Sequence, residues 1–117
     1  MGRWQEARAA YQIAAATWPD HAVAWIGVGN SAHALGDVSG AEGAFREALR
    51  VDPVSAVAWN NLAYALAGRR CLHAARQAAR CASMLDPDSS AISHTLEEIE
   101  SLVGEDSAVC KPLPVCP

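Results

Sequence analysis

The residues of this sequence with the greatest chemical potential are four cysteines and four histidines. A zinc site would have to combine Cys71 and His73 with the two C-terminal cysteines, but the chain has no paired Cys-x-x-Cys spacing. Nothing places a cysteine in an activating pocket. The histidines follow no catalytic arrangement; they are His21, His33, His73 and His94. The sequence therefore predicts no metal or other cofactor, and it indicates that the chain is not an enzyme.

Disulfide formation is the other chemistry open to the four cysteines. Cys71 and Cys81 are ten residues apart on one predicted helix, about 15 Å by helical rise. A disulfide tolerates only about 7 Å between Cα atoms, so these two cannot pair with each other. Cys110 and Cys116 bracket the segment KPLPV and could close a small disulfide loop in an oxidising compartment. The alternative is that the cysteines are free thiols.

A repeated unit of 34 residues must position these side chains. Residues 22–55 recur as residues 56–89, so that Trp25 returns as Trp59 and Pro53 returns as Pro87. Each unit contains two apolar patterns at helical spacing, and a period of this length marks a stacked helical repeat. The sequence therefore predicts an all-α fold.

The boundaries of the units divide the chain into five segments. Residues 1–21 match the second helix of a truncated unit, residues 22–55 and 56–89 are full units, residues 90–103 form a capping helix, and residues 104–117 form an extended or disordered tail. The first helix lacks its usual partner, although Trp4 and Tyr11 lie on its apolar face. Either the chain is truncated there or another chain covers this face, and truncation is favoured.

Glycine and proline indicate where the helices end. We expect helices over residues 22–35, 38–51, 56–67 and 71–85. Gly36 suits a left-handed residue after a helix, and Asp37 can cap the helix that follows. The residue before a proline disfavours helical geometry, so the second helix of each unit should stop before Pro53 or Pro87.

The pattern of small and large residues resembles the tetratricopeptide repeat. The matching residues are Trp25, Val28, Gly29, Ala32, Ala41, Phe45, Ala48 and Pro53 in the first full unit, and Trp59, Leu62, Ala63, Ala75, Ala82 and Pro87 in the second. The second unit departs at Leu66, Arg70 and Ala79. The resemblance covers about residues 2–103 and implies a right-handed α-solenoid of antiparallel helix pairs.

The resemblance also implies a concave groove that receives an extended peptide or a partner's helix. The groove residues it predicts are Val23, Ile26, Gly27, Asn30, His33, Val57, Asn60, Asn61 and Tyr64, with Ala91, His94, Thr95 and Glu98 from the capping helix. An asparagine side chain carries donors and an acceptor, so Asn30, Asn60 and Asn61 could hold a peptide backbone. The alternative is that these asparagines are only solvated.

Some members of the family clamp a C-terminal carboxylate with basic residues and asparagines. Asn30 and Asn61 match the asparagine positions of that clamp. Ile26, Ala91 and Thr95 stand where the basic residues are expected, so a carboxylate would find no cationic partner. The sequence therefore favours a neutral or apolar ligand segment.

Charge and hydropathy exclude further classes. The net charge is −4, with 13 acidic and 9 basic residues, which argues against a nucleic-acid or anionic-membrane surface. No apolar run is long enough to cross a membrane, and the N-terminus carries charges where an export signal needs an apolar core. The compartment remains open.

The leading interpretation is a protein–protein interaction scaffold that binds through its concave groove. One alternative is an accessory segment of a larger enzyme, because the first full unit faintly resembles repeat tails of some bacterial papain-like peptidases. No catalytic residue of those peptidases is matched. Another alternative is self-association, either through the N-terminal helix or by docking of the KPLPV tail in a neighbour's groove.

Overall fold

The computed structural model describes residues 2–107 and 109–117. Within these ranges the chain forms six α-helices and no strand. In chain order the helices are α1 (Gly2–Thr17), α2 (Ala22–Ala34), α3 (Val38–Val51), α4 (Ala56–Gly68), α5 (Leu72–Leu85) and α6 (Ser90–Glu100). The prediction of an all-α fold is confirmed, and the helix ends differ from the expected ones by a few residues at most.

The helices form an array of antiparallel pairs in two layers. Each helix packs on the next one along the chain, and α2 also contacts α4, which in turn contacts α6. In the part of the chain that the structure describes, α1, α3 and α5 make no such contacts with one another. The layer of α2, α4 and α6 is therefore the more closely spaced one, and it forms the concave side of an α-solenoid.

Capping residues begin three of the helices. Asp37, Ser55 and Ser89 each accept a hydrogen bond from the backbone N–H three residues further on, at the start of α3, α4 and α6. Gly36 ends the α2 turn with a φ of 82°, as the sequence predicts. Arg70 occupies the equivalent position after α4 with a φ of 62°, which is an uncommon conformation for a residue with a Cβ atom.

The core depends on a few large side chains between many alanines. Trp59 is only 1% exposed, and its indole N–H donates to the Pro53 carbonyl at 2.9 Å. Phe45 is equally buried and lies against Gly29, where an added Cβ atom would overlap its ring. Alanine and glycine in the helices thus leave room for these rings to fill.

Helix α1 packs on α2 but leaves much of its apolar face uncovered. Trp4 is 50% exposed and Tyr11 is 41% exposed, whereas Phe45, the counterpart of Tyr11 in α3, is buried against α2. None of the described helices is both long enough and apolar enough to span a membrane.

Candidate functional site

The centre of the concave face is an asparagine pair that joins two helices. The amide Nδ2 of Asn61 on α4 donates to Oδ1 of Asn30 on α2 at 2.9 Å. Asn60 donates a longer bond of 3.4 Å to Oδ1 of Asn61. Asn30 is exposed and Asn61 is half-buried, so the pair lies at the surface of the array. The two asparagines that the sequence singled out are therefore in contact across the boundary between units.

A small pocket of about 100 Å³ adjoins this pair. Asn30, His33, Asn61 and Tyr64 line it, and Phe45 contributes its ring from α3. Sequence reasoning missed Phe45 as a pocket residue, because it belongs to the second helix of its unit. The signal was Gly29, since the missing side chain there lets the Phe45 ring lie between the helices.

The capping helix α6 closes one side of the groove with polar groups. The Tyr64 hydroxyl lies 3.3 Å from Oγ1 of Thr95 and donates to Oε2 of Glu98 at 3.5 Å. The other carboxylate oxygen of Glu98 lies 2.6 Å from Nε2 of His94. Thr95 is buried, so it supports Tyr64 from below. Tyr64, His94 and Glu98 are thus brought together as one polar cluster.

The remaining predicted groove residues follow the first turns of α2 and α4. Val23 and Val57 are exposed apolar residues, and Ile26 is half-buried. On α2, the spacing from Val23 through Ile26 to Asn30 and His33 places all four on one helical face. The face therefore has an apolar half near the helix starts and a polar half near Asn30.

Asn60 precedes Asn61 on α4. It is half-buried, and its Oδ1 atom is buried without a hydrogen-bond partner among the described residues. An unpaired buried acceptor costs free energy, so this atom would gain from a donor brought by a ligand or a water molecule.

The described residues contain no cluster of three or more His, Cys, Asp or Glu side chains placed to hold a metal ion.

Comparison with known proteins identifies the repeat. A family model described as "Tetratricopeptide repeat" matches residues 1–50 and 29–89, well over half of the chain. The chain belongs to the tetratricopeptide repeat family. A search among characterised protein sequences found no match.

Solved tetratricopeptide repeat domains share the fold at low sequence identity. One is the first TPR of Spaghetti (RPAP3) bound to the HSP90 peptide SRMEEVD, with a TM-score of 0.80 and 18% identity, covering 85% of this chain and 79% of that one. Another is the second TPR domain of human RPAP3 in complex with the HSP70 peptide SGPTIEEVD, with a TM-score of 0.80 and 18% identity, covering 86% of this chain and 84% of that one. At this identity the likeness extends to the fold.

The cysteines of this tetratricopeptide repeat array pair differently from the sequence-based prediction. Cys71 is bonded to Cys110 with the Cα atoms 5.8 Å apart, and Cys81 is bonded to Cys116 with the Cα atoms 5.9 Å apart. The predicted loop between Cys110 and Cys116 is therefore wrong, and so is the alternative of free thiols. No cysteine of the described residues remains free.

The lengths of the two segments explain these pairs. Six steps of extended chain between Cys110 and Cys116 reach up to about 20 Å. The ten residue steps from Cys71 to Cys81 rise about 15 Å along the helix, so the tail can run along α5 and reach both cysteines. Each tail cysteine thus has a partner within bonding distance on α5. Nothing in the sequence indicates that the tail lies along α5, so the sequence-based prediction could not find these pairs.

The tail, residues 104–117, also completes the start of α5. Cys71 occupies the capping position that Asp37 holds in the preceding unit, and its side chain makes no capping bond. Asp106 replaces that cap from the tail, because its Oδ1 accepts from the backbone N–H of Leu72 at 2.8 Å. The Arg70 carbonyl accepts from the Ser107 N–H at 2.9 Å, which holds the left-handed turn. In its described residues the tail is extended, and it is packed against its own chain.

Arg46 on α3 holds the middle of the tail. It donates to the Pro112 carbonyl at 2.7 Å and to the Lys111 carbonyl at 3.2 Å. Its Nε atom donates to Glu42 at 2.8 Å, and Glu42 also accepts from Arg69 at 2.7 Å. Burial raises the pKa of the Glu42 carboxyl, but the hydrogen bonds from Arg69 and Arg46 outweigh it, and the net pKa lies below its ordinary value of 4.5.

Because the pKa of the Glu42 carboxyl is lowered in the folded chain, the free energy of unfolding depends on pH. The contribution of Glu42 is complete above its ordinary pKa and is lost as the pH falls through the lower pKa of the folded state. We expect Glu42→Gln to reduce the free energy of unfolding by about 1–3 kcal/mol at neutral pH, because two charge-assisted hydrogen bonds are weakened. Arg46 and Arg69 are both partly exposed, so the loss of unfolding free energy should be smaller than for a fully buried ion pair.

Urea denaturation at pH 7 and at about pH 3 would measure this effect. The difference between the wild-type protein and Glu42→Gln should shrink at the lower pH, because below the ordinary carboxyl pKa the unfolded chain takes up a proton at Glu42. Glu47→Gln is the matched control, since Glu47 pairs with Arg50 on the exposed side of the same helix. A loss as large in Glu47→Gln as in Glu42→Gln would contradict the assignment.

Proposed function

We propose that this tetratricopeptide repeat protein is a protein-interaction module that binds an extended peptide or a partner's helix in its concave groove. The observation that carries the proposal is the Asn61–Asn30 hydrogen bond beside a pocket formed with Phe45 and Tyr64. This hydrogen bond holds amide groups from two units side by side at one surface. Amide donors and acceptors can pair with a peptide backbone without requiring a particular side-chain sequence.

The two halves of the groove suggest how a ligand would be oriented. Apolar side chains of the ligand would lie over Val23, Ile26 and Val57, two of which are exposed. Its polar backbone groups would meet Asn30 and Asn61. Burial of apolar area supplies the affinity, and the asparagines set the register.

The groove chemistry argues against an acidic C-terminus as the ligand. The peptides in the two solved tetratricopeptide repeat structures end in EEVD. Here the positions that would hold basic residues are Ile26, Ala91 and Thr95, and Glu98 adds a negative charge at the edge of the groove. Because a carboxylate is bound most strongly by charged donors, we propose a neutral or apolar segment.

Selection from a random peptide library displayed on phage, followed by affinity measurement, tests this proposal. We expect selected peptides to bind Asn61→Ala and Tyr64→Ala proteins at least about tenfold more weakly than the wild type, equivalent to about 1.4 kcal/mol. Met84→Ala is the control, since Met84 is an exposed apolar residue on α5, in the other layer. Unchanged affinity in both groove variants would remove the groove as the binding site.

The uncovered face of α1 supports self-association as a second candidate function. Trp4 on α1 is 50% exposed and Trp18, just after α1, is 56% exposed, and exposed aromatic side chains are common at protein contacts. In this case Trp4→Ser with Trp18→Ser should shift the sedimentation coefficient from that of a dimer to that of a monomer. A wild-type chain that sediments as a monomer at high concentration would rule out this candidate.

A further inference from the structure

We propose that the convex face between α3 and α5 is a second peptide-binding site, separate from the concave groove. It takes an extended, proline-containing segment, and the chain's own tail occupies it as a tethered ligand locked by two disulfides. The site is defined by Arg46 on α3, Trp59 on α4, and Gln77 and Cys81 on α5. We refer to it as the convex site.

The hydrogen bonds at the convex site recognise the backbone of the occupant. Arg46 donates to two consecutive carbonyls, those of Lys111 and Pro112. Pro112 and Pro114 lack an N–H group, so this segment cannot join a helix or the interior of a sheet. A proline-rich segment is extended before it binds and loses little conformational entropy on binding. Contacts of this kind are suited to a class of segments and not to one side-chain sequence.

Arg46 is held in place by the fold independently of the tail. Its Nε atom is bonded to Glu42, whose side chain is buried and is also held by Arg69 from the other side. The guanidinium therefore keeps its position when the tail leaves. A donor that is already oriented binds more strongly, because its side chain loses little further conformational entropy when the ligand binds.

The convex site has more room than the tail fills. Leu113 and Cys116 pack against the main core, yet an open space of about 410 Å³ remains beside them. Trp59, Gln77 and Cys81 line its inner side, and Pro112 and Pro114 line its outer side. A ligand with a larger apolar side chain in place of Leu113 would bury more area against this wall.

The disulfides decide whether the tail can leave. Cys71–Cys110 and Cys81–Cys116 lie on either side of the segment that Arg46 holds. A dithiol reductant exchanges with each bond, so that two protein thiols and one oxidised cyclic disulfide form, with two electrons and two protons transferred. The tail is then held only by non-covalent contacts, and a segment from another protein can compete for the convex site.

A labelled peptide with the sequence VSKPLPVSP tests the site. It reproduces residues 109–117 with serine at both cysteine positions. The proteins are the full oxidised chain and the full-length Cys110→Ser/Cys116→Ser chain under dithiothreitol, with its fold checked by circular dichroism. We expect fluorescence anisotropy to show saturable binding to the double variant, at least about tenfold tighter than to the oxidised wild type. Leu113→Asp in the tethered tail should raise the affinity further, because the tail then competes less well.

Substitutions in the site identify its donor. In the double-variant background, Arg46→Ala should weaken peptide binding at least about tenfold, while Arg50→Ala on the same helix should not change it. Asn61→Ala should also leave it unchanged, which separates this site from the concave groove. Equal binding to the oxidised wild type, no binding to a folded double variant, or unchanged binding to Arg46→Ala would each overturn the proposal.

A second measurement applies if the double variant does not fold. The wild-type chain is equilibrated in glutathione buffers, its thiols are alkylated, and the reduced fraction of Cys81–Cys116 is read by mass spectrometry. If the convex site binds the tail, Arg46→Ala should make this bond at least about fivefold easier to reduce, and Arg50→Ala should not. Equal reduction equilibria in the wild type and Arg46→Ala would show that the site does not bind the tail.

Discussion

Replacing Trp59 with alanine is expected to lower the free energy of unfolding by about 3–5 kcal/mol. Trp59 is 1% exposed and is the largest of the fully buried side chains. Its removal leaves a cavity between α4 and its neighbours, because the surrounding backbone cannot fully collapse. It also removes the hydrogen bond from the indole N–H to the Pro53 carbonyl.

The repeat supplies a matched control for this substitution. Trp25 is the counterpart of Trp59 in the preceding unit, and its indole N–H donates to the Pro19 carbonyl at a longer 3.2 Å. It is only half-buried, so Trp25→Ala should cost clearly less than Trp59→Ala in urea denaturation. If both variants lost the same free energy of unfolding, the burial of the tryptophan would not be what determines the size of the loss.

Reduction of the two disulfides is the second change with a large expected effect. Each bond closes a long loop, with sequence separations of 39 and 35 residues. A disulfide that closes a long loop typically contributes about 2–4 kcal/mol, mainly by limiting the unfolded chain. We expect the midpoint of urea unfolding to fall markedly when dithiothreitol is added, and a quadruple Cys→Ala chain to unfold at a similarly low concentration.

Paired substitutions apportion this effect between the two bonds. Cys71→Ala/Cys110→Ala should also loosen the start of α5, because it frees the tail near Asp106, which caps that helix. Cys81→Ala/Cys116→Ala should leave this cap in place. Hydrogen exchange of the Leu72 and His73 amides would distinguish the two, with faster exchange in the first variant. Equal exchange in the two variants would mean that Asp106 holds its position without the nearby disulfide.

Much of the fold could be predicted from residues that act within one unit. Gly36, Asp37 and Pro53 affect the backbone within a few positions, so their meaning could be read directly along the chain. The helix ends agree with the expected ones to within a few residues.

The polar centre of the groove was partly predictable. The family pattern pointed to Asn30 and Asn61, and they are in contact. Phe45 could not be assigned to the pocket by the same pattern, because its presence there depends on the absence of a side chain at Gly29. Whether a ligand binds there is still a prediction.

The amino-acid pattern was enough to predict the helical array. The same pattern of small and large residues recurs every 34 residues, and each unit packs on the next one along the chain. The tail carries no such signal. Its cysteines, Asp106 and the Arg46 contacts join positions separated by 34 to 66 residues, and the tail itself is not a copy of any part of the repeated unit. The cysteine pairs depended on where an extended segment of matching length came to lie on α5, which is a property of packing in three dimensions. Cys71 shows the difference: the sequence placed it at the start of a helix, and only the folded chain showed that it precedes α5 and that Asp106 of the tail caps that helix.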